Sequence, residues 1–363
     1  MDKSLGNGSQ LTLWKLSEYP MRTKLYPRLR YMGSKYRLLP WIHQVLSQLD
    51  FTSALDAFSG SGCVAYLMKA MEKRVISNDF LNFAHHIALA SIENACYKLS
   101  PDHLEELLHY NQKREDFIER TFTGIFFTPL DLRFLDNVWA NLSSLPTRYH
   151  RALAISALVR ACLKRQPRGV FTVAGDPDRY KDGRRDLHLT LREHFIESVA
   201  VFNNVVFDNG QRNMSIRSDI FQIDSRPVDL VYMDPPYVPR ADDNCYIKRY
   251  HFLEGLASYW KEEGTDILHW TMVKKIPKRF TPFSYRRTSV DAFDKMFHKF
   301  RNSILVLSYS SNGYPDLETL VNLMKRYKEN IEVFEHEHRY HFGTHNNVSK
   351  SRTTISEYLI VGL

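Results

Sequence analysis

The segment from Ser53 to Ala95 constrains the fold most, because strand, turn and helix occur there twice in succession. "SALDAFSGSGCVAYLMKA" reads as a short strand, a turn holding Gly60 and Gly62, and a helix carrying Val64, Leu67 and Met68. "KRVISNDFLNFAHHIALASIENA" repeats the plan with a strand at Val75–Ser77, the acid Asp79 and a further helix. A helix between consecutive strands returns the chain to the same end of the sheet, so the strands run parallel and the fold is α/β, doubly wound. Alternation resumes after residue 200, with an expected strand at Val205–Phe207, the "RSDIFQID" stretch and "VDLVYMDPPY". That last strand must stop near Asp234, because proline has no N–H for the ladder and fixes its own φ. "NSILVLSYSSNGYP" is another fully apolar strand, and "IEVFEHEHRYHF" with "TTISEYLIVGL" is expected to form an antiparallel pair at a sheet edge.

The hundred residues after Ala95 lack this rhythm and read as a mainly helical insertion. Ser100-Pro101 caps a charged helix expected to run through "DHLEELLHYNQKREDFIERTF". A second helix covers Tyr149 to Lys164, and a third sets Leu191, Phe195, Val199 and Phe202 on one face. Between them lies the basic, turn-rich "KRQPRGVFTVAGDPDRYKDGRR". The expected organisation is an arm at 1–30, loosely held, a sheet domain from 31–95 and 200–363, and an insertion at 96–199.

Composition removes some classes of function. No run of about 18 apolar residues exists, so no membrane span is expected, and "MDKSLGNGSQ" lacks the layout of a signal peptide. The four cysteines (Cys63, Cys96, Cys162, Cys245) are too scattered for a zinc knuckle and fit a reducing, cytoplasmic setting. A net charge of +8 leans towards a polyanionic partner.

Gly60 and Gly62 sit where a ligand approaches backbone beside a helix N-terminus. Asp79 ends the next strand, where a doubly wound fold grips ribose hydroxyls, so the pair points to an adenosine-containing cofactor. A tight turn and a capping acid are the plain alternative. "DPPY" offers chemistry at a third strand end. The lone pair of a nucleobase amine is delocalised and barely nucleophilic. Two acceptors aimed at its N–H groups, the Asp234 carboxylate and the Pro235 carbonyl, favour a pyramidal nitrogen. Pro235 and Pro236 fix the loop, and Tyr237 offers a ring on which an extruded base could stack.

Four motifs in order, "YMGSK" (31–35), "DAFSGSG" (56–62), "ND" (78–79) and "DPPY" (234–237), resemble the Dam-like, alpha-group adenine-specific DNA methyltransferases. The resemblance covers most of residues 28–255 and implies a Rossmann-like class I methyltransferase fold with a target-recognition insertion. It implies transfer of methyl from S-adenosyl-L-methionine to the N-6 amine of a flipped-out adenine in duplex DNA, and a cognate restriction endonuclease as partner. The setting would be bacterial or phage-type, in the cytoplasm with DNA. By position in the motifs, Tyr31, Gly33, Lys35, Asp56, Phe58, Gly60, Gly62, Asp79 and Phe80 would bind the cofactor. Lys35 suits the methionine carboxylate, Asp79 the ribose, Phe80 the adenine ring, and Asp219 in "SDIF" the adenine amine. Asp234, Pro235, Pro236 and Tyr237 would be catalytic.

In the insertion, Arg165 and Arg168 are candidates for reading base edges, and Lys181, Arg184 and Arg185 for holding phosphates. "MVKKIPKRFTPFSYRR" (272–287) interleaves cations with Phe280, Phe283 and Tyr285, which suits backbone clamping, filling of a strand gap, or surface packing. His336 and His338 share a strand face, but methyl transfer needs no metal and none is expected. Two alternatives stay open at the level of sequence: an RNA base methyltransferase, and a non-catalytic DNA-binding protein of the same fold.

Overall fold

The computed structural model describes residues 18–175, 183–224, 227–238, 245–339 and 354–363. Seven strands form one mixed sheet: β1 (Ser53–Asp56), β2 (Arg74–Asp79), β3 (Met214–Arg217), β4 (Leu230–Met233), β5 (Ile304–Ser310), β6 (Ile331–Arg339) and β7 (Thr354–Gly362). Their order is β3-β2-β1-β4-β5-β7-β6. The first five pair in parallel, and β7 runs antiparallel to both β5 and β6. This is the mostly parallel sheet with an antiparallel C-terminal pair that the sequence led us to expect.

The apolar strands have no polar face because both faces are covered. Along β4, Leu230 and Tyr232 enter one core while Val231 and Met233 enter the other. The first core is packed by α1 (Leu39–Leu46), α2 (Cys63–Ala70) and α3 (Asn82–Ala88), with the insertion behind them. The insertion comprises α4 (Pro101–Leu108), α5 (Phe117–Phe122), α6 (Pro129–Asn141), α7 (Arg148–Arg165), α8 (Arg185–His188) and α9 (Leu191–Val205). After β4 comes α10 (Tyr246–Leu256), and the second core is packed by α11 (Arg286–Lys299) and α12 (Leu317–Met324). Among the described residues no helix is long and apolar enough to cross a membrane.

The connection leaves β1 towards β2 on one side and reaches β4 on the other, so a crevice opens beyond the carboxyl ends of β1 and β4. Asp229 fastens this junction from its opposite end. Its Oδ2 accepts from the N–H groups of Thr52 and Ser53, each at 2.8 Å, and from both hydroxyls. Four donors on one oxygen favour the ionised form, and the carboxyl is held down at about 2.

Three expectations about elements are corrected. Val205–Phe207 is not a strand: α9 runs to Val205, whose side chain is fully buried, and the third strand is the more polar Met214–Arg217. Helix α9 starts in a capping box, Thr190 and Glu193 each accepting from the other's N–H. The charged helix after Ser100 breaks at His109 into α4 and α5. Asparagines of α6 hold that break open: Asn137 and Asn141 each donate at 2.8 Å to the His109 carbonyl. Lastly, the described part of the N-terminal arm, 18–30, is not loose. Tyr26 is 2% exposed and donates at 2.7 Å to the Ser61 carbonyl. Arg30 donates to the Lys164 carbonyl at 3.0 Å, at the negative end of α7, and to Asp186 at 2.7 Å.

Candidate active site

Three adjacent parallel strands end in or next to an acid: Asp56 on β1, Asp79 on β2, and Asp234 just after β4. All three line one cleft. Tyr31, Gly33, Lys35, Phe58, Gly60, Phe80 and Pro236 line it too. Most of the residues singled out from the four motifs therefore meet in one place.

The glycine turn is held from above and below. Gly60 has φ of +50°, and a Cβ there would lie 2.9 Å from the Tyr31 ring. Its N–H donates to Asp79 Oδ2 at 2.7 Å, and Leu81 N–H to Oδ1 at 2.9 Å. Burial raises Asp79 to about 6 despite these bonds. Asp56 is 1% exposed; Oδ2 accepts from Ala65 N–H at 3.0 Å, while Oδ1 is buried and makes no hydrogen bond among the described residues. Burial, then the charges of Asp234 and Asp79, push Asp56 up to about 8. A buried carboxylate oxygen without a donor is costly unless a ligand supplies one.

Asp234 is paired. Its Oδ1 lies 3.0 Å from Lys35 Nζ, a side chain only 3% exposed. Burial lifts the Asp234 carboxyl to about 6, against the pull of Lys35. Pro235 and Pro236 are buried, and Tyr237 packs its ring 5.2 Å from that of Tyr309 on β5. Beyond the motif, Val238 accepts from Tyr314 N–H at 3.1 Å, which ties down the far end of the loop.

Two expected cofactor residues lie outside this cleft. Gly62 is the N-cap of α2 and sits beneath Tyr26, where a Cβ would come 2.5 Å from the hydroxyl. Asp219 lines an adjoining recess that shares Phe58 and Phe80 with the cleft. Phe283, from the basic stretch at 272–287, is 1% exposed and walls that recess.

Sequence reasoning missed the tyrosines of α10. Tyr250 stacks on Tyr31 with ring centroids 5.1 Å apart, and its hydroxyl accepts from Met32 N–H at 2.7 Å. Tyr246 stacks on Tyr31 at 5.5 Å and donates to the Met32 carbonyl at 3.3 Å. Their i,i+4 spacing just past "DPPY" was the available signal.

The insertion's basic candidates disperse. Arg165 is corrected: it is 5% exposed, 3.2 Å from Asp131, and also bonded to the Leu187 carbonyl. A side chain so enclosed by α6 and α8 cannot reach a base edge. Arg184 donates to the Pro167 carbonyl at 2.9 Å, and Arg185 pairs with Glu197 at the surface. Arg168 is exposed, and Lys181 lies outside the described residues. His336 stacks on Trp41 at 5.2 Å, and no cluster of metal-ligating side chains occurs among the described residues.

A class I methyltransferase sheet with its cleft at the carboxyl ends of β1, β2 and β4 is the class that this fold and site define. Residues 31–308 match the profile of the D12 class N6 adenine-specific DNA methyltransferases, and the chain belongs to that family. It is an N6-adenine DNA methyltransferase. It is 27% identical over 333 residues to the type II methyltransferase M2.HphI of Haemophilus parahaemolyticus, covering 88% of this chain and 94% of that one. It is also similar to the modification methylases LlaI of Lactococcus lactis subsp. lactis (23% identical) and StsI of Streptococcus sanguinis (25% identical). The match takes in 89% of this chain in both cases but spans only 53% and 50% of those two proteins.

Two outcomes follow from this geometry. Asp56 holds its proton more tightly folded than unfolded, so its ionisation opposes folding and stability falls as pH rises from about 4 to about 8. Asp56→Asn should therefore melt several degrees above the parent at pH 8, with the gap closing towards about pH 4 in thermal scans. Arg165→Ala strands Asp131 in the interior and should cost about 3–5 kcal/mol in urea unfolding. Arg185→Ala, at the surface, should leave the midpoint unmoved.

Proposed function

We propose that the cleft binds S-adenosyl-L-methionine and that Asp234 to Tyr237 hold a flipped-out adenine of duplex DNA against it. The observation carrying this reading is the convergence of Asp56, Asp79 and Asp234 on one cleft, with Asp56 Oδ1 lacking a donor. Such a set suits a ligand rich in cationic groups and hydroxyls. Asp56 would accept from the ammonium, Asp79 from the ribose hydroxyls, and the recess of Phe58, Phe80 and Asp219 would take the adenine ring. Bound there, the cofactor supplies an electrophilic methyl group on its sulfonium. Lys35, held against Asp234, serves the catalytic acid first.

Asp234 and the Pro235 carbonyl then accept from the two N–H groups of the target amine and localise its lone pair. The ionised carboxylate accepts far more strongly than the neutral acid, so the rate should rise with pH through about 6. Tyr237 would stack on the base, and Tyr31, clamped by Tyr246 and Tyr250, would keep the glycine turn closed on the cofactor.

On the DNA side we assign the basic, aromatic stretch at 272–287 to the rim of the site, with the helical block 96–199 as the recognition unit. Arg279 lies 5.2 Å over Phe80, and Arg286 4.5 Å over Tyr314, whose N–H bonds Val238. The stretch thus runs between the cofactor recess and the catalytic loop. Between those arginines Phe280 and Tyr285, 64% and 42% exposed, stack 5.3 Å apart. That is a cationic edge with an aromatic platform, the composition used to hold unstacked nucleotides. A cognate restriction endonuclease in the same cytoplasm is the partner that fits relatives called modification methylases.

Asp234→Asn should lose methyl transfer by a thousandfold or more while calorimetry still shows cofactor binding; a near-normal rate would remove Asp234 from the mechanism. Replacing Arg286 and Arg287 with Ala should weaken DNA alike across sequences and reduce the slope of log affinity against log salt by about 1–2. An unchanged slope would put those arginines off the DNA.

A further inference from the structure

Glu357 stands in β7 with no exposed surface, and its same-face neighbours Ile355 and Leu359 are buried and apolar. Neither carboxylate oxygen makes a hydrogen bond among the described residues. Nothing in the ladder requires an acid there, and a buried charge without donors opposes folding. Among the described residues the cation paired with it is Lys35: Nζ lies 3.8 Å from Glu357 Oε2 and 3.0 Å from Asp234 Oδ1. The lysine therefore stands between two acids, one at the catalytic loop and one behind it in the sheet.

That arrangement bears on a conflict in the site. A lysine paired with Asp234 alone, away from water, would hold the carboxylate the target amine needs. A second anion behind the lysine leaves the ammonium compensated while Asp234 turns an oxygen to the base. We propose that Glu357 is a positioning residue of methyl transfer, sharing Lys35 with Asp234 and so weakening that lysine's hold on the catalytic carboxylate. This rests on the reading of Asp234 as the residue that holds the amine.

Among the described residues Asp56, Tyr31 and Cys63 also feel the charge of Asp234, and the phenols of Tyr232, Tyr237 and Tyr246 feel the Lys35 ammonium. His336 is paired with Glu357 across the β6–β7 ladder, but its ring is stacked on Trp41.

The test is Glu357→Gln in the full chain, assayed for methyl transfer to duplex DNA across pH. We expect kcat to fall tenfold or more, with KM for the cofactor and affinity for DNA within about twofold of the parent. The acid limb of the kcat profile should move to lower pH, because Asp234 loses a neighbouring anion and keeps Lys35 to itself. In a Lys35→Gln background the same substitution should add no further loss, since the effect runs through the lysine. Should the Gln variant not fold, Glu357→Met is read in the same way. An unchanged kcat and profile, or a loss that simply adds to that of Lys35→Gln, would overturn the proposal. Asp234→Asn run alongside separates the two readings. If it is inactive while Glu357→Gln is normal, only the role of Glu357 fails; if it remains active, the assignment of Asp234 fails.

Discussion

The site depends on crowding carboxylates at one edge of a parallel sheet. Asp56, Asp79 and Asp234 end neighbouring strands, and burial raises all three. Each is managed by a different neighbour. Asp79 accepts two backbone N–H groups, Asp56 accepts one and keeps an oxygen unpaired, and Asp234 is matched by Lys35. The ranking is informative. The acid with most amide donors carries the least unsatisfied charge, and the one left short is buried in the cleft's lining. A cleft built this way favours positive ligand groups before any shape complementarity is counted.

Rigidity around those acids comes from aromatic contacts. Tyr31 lies over Gly60 and is stacked from behind by Tyr246 and Tyr250, which also bond the Met32 backbone. The segment before β1 and the helix after the catalytic loop, over two hundred residues apart in the chain, are thereby locked together. The loop of Asp234 to Tyr237 is held at one end by β4 and at the other by the Val238–Tyr314 bond. Short-range positioning of acceptors is most of what such a transfer requires, so under the proposed role of Asp234 this clamping would serve the chemistry as well as stability.

What could be read from sequence follows the range of the interactions involved. The strands around Leu55, Ile76 and Val231 were legible because burial on both faces leaves a run of apolar residues with local punctuation. "DPPY" and the glycine turn were legible because backbone chemistry limits what those residues can do. Val205–Phe207 misled because three consecutive apolar residues look alike at a buried helix end and in a strand. Helix α6 carried its own start signal, Thr128 as N-cap followed by Pro129, and was still passed over. Glu357 could not be found locally at all: its meaning is a distance to Lys35, 322 positions away, that exists only once β7 lies beside β5.

Charge makes the same point. The net +8 invites a search for cations along the basic insertion, yet a positive count says nothing about where the charge is used. Arg30 and Arg165 are spent inside, on helix-end carbonyls and on Asp186 and Asp131. Lys69 is fully buried, bonded to the carbonyls of Ser91 and Asn94, and burial lowers it to about 7. At that value it contributes only part of a charge at neutral pH. Exposed cations also stand outside the insertion: Arg279 lies over Phe80 and Arg286 over Tyr314. Phe80 lines the cleft and the Tyr314 N–H bonds Val238 beyond Asp234, so a polyanion attracted by those two arginines would be brought to the edge of the cleft.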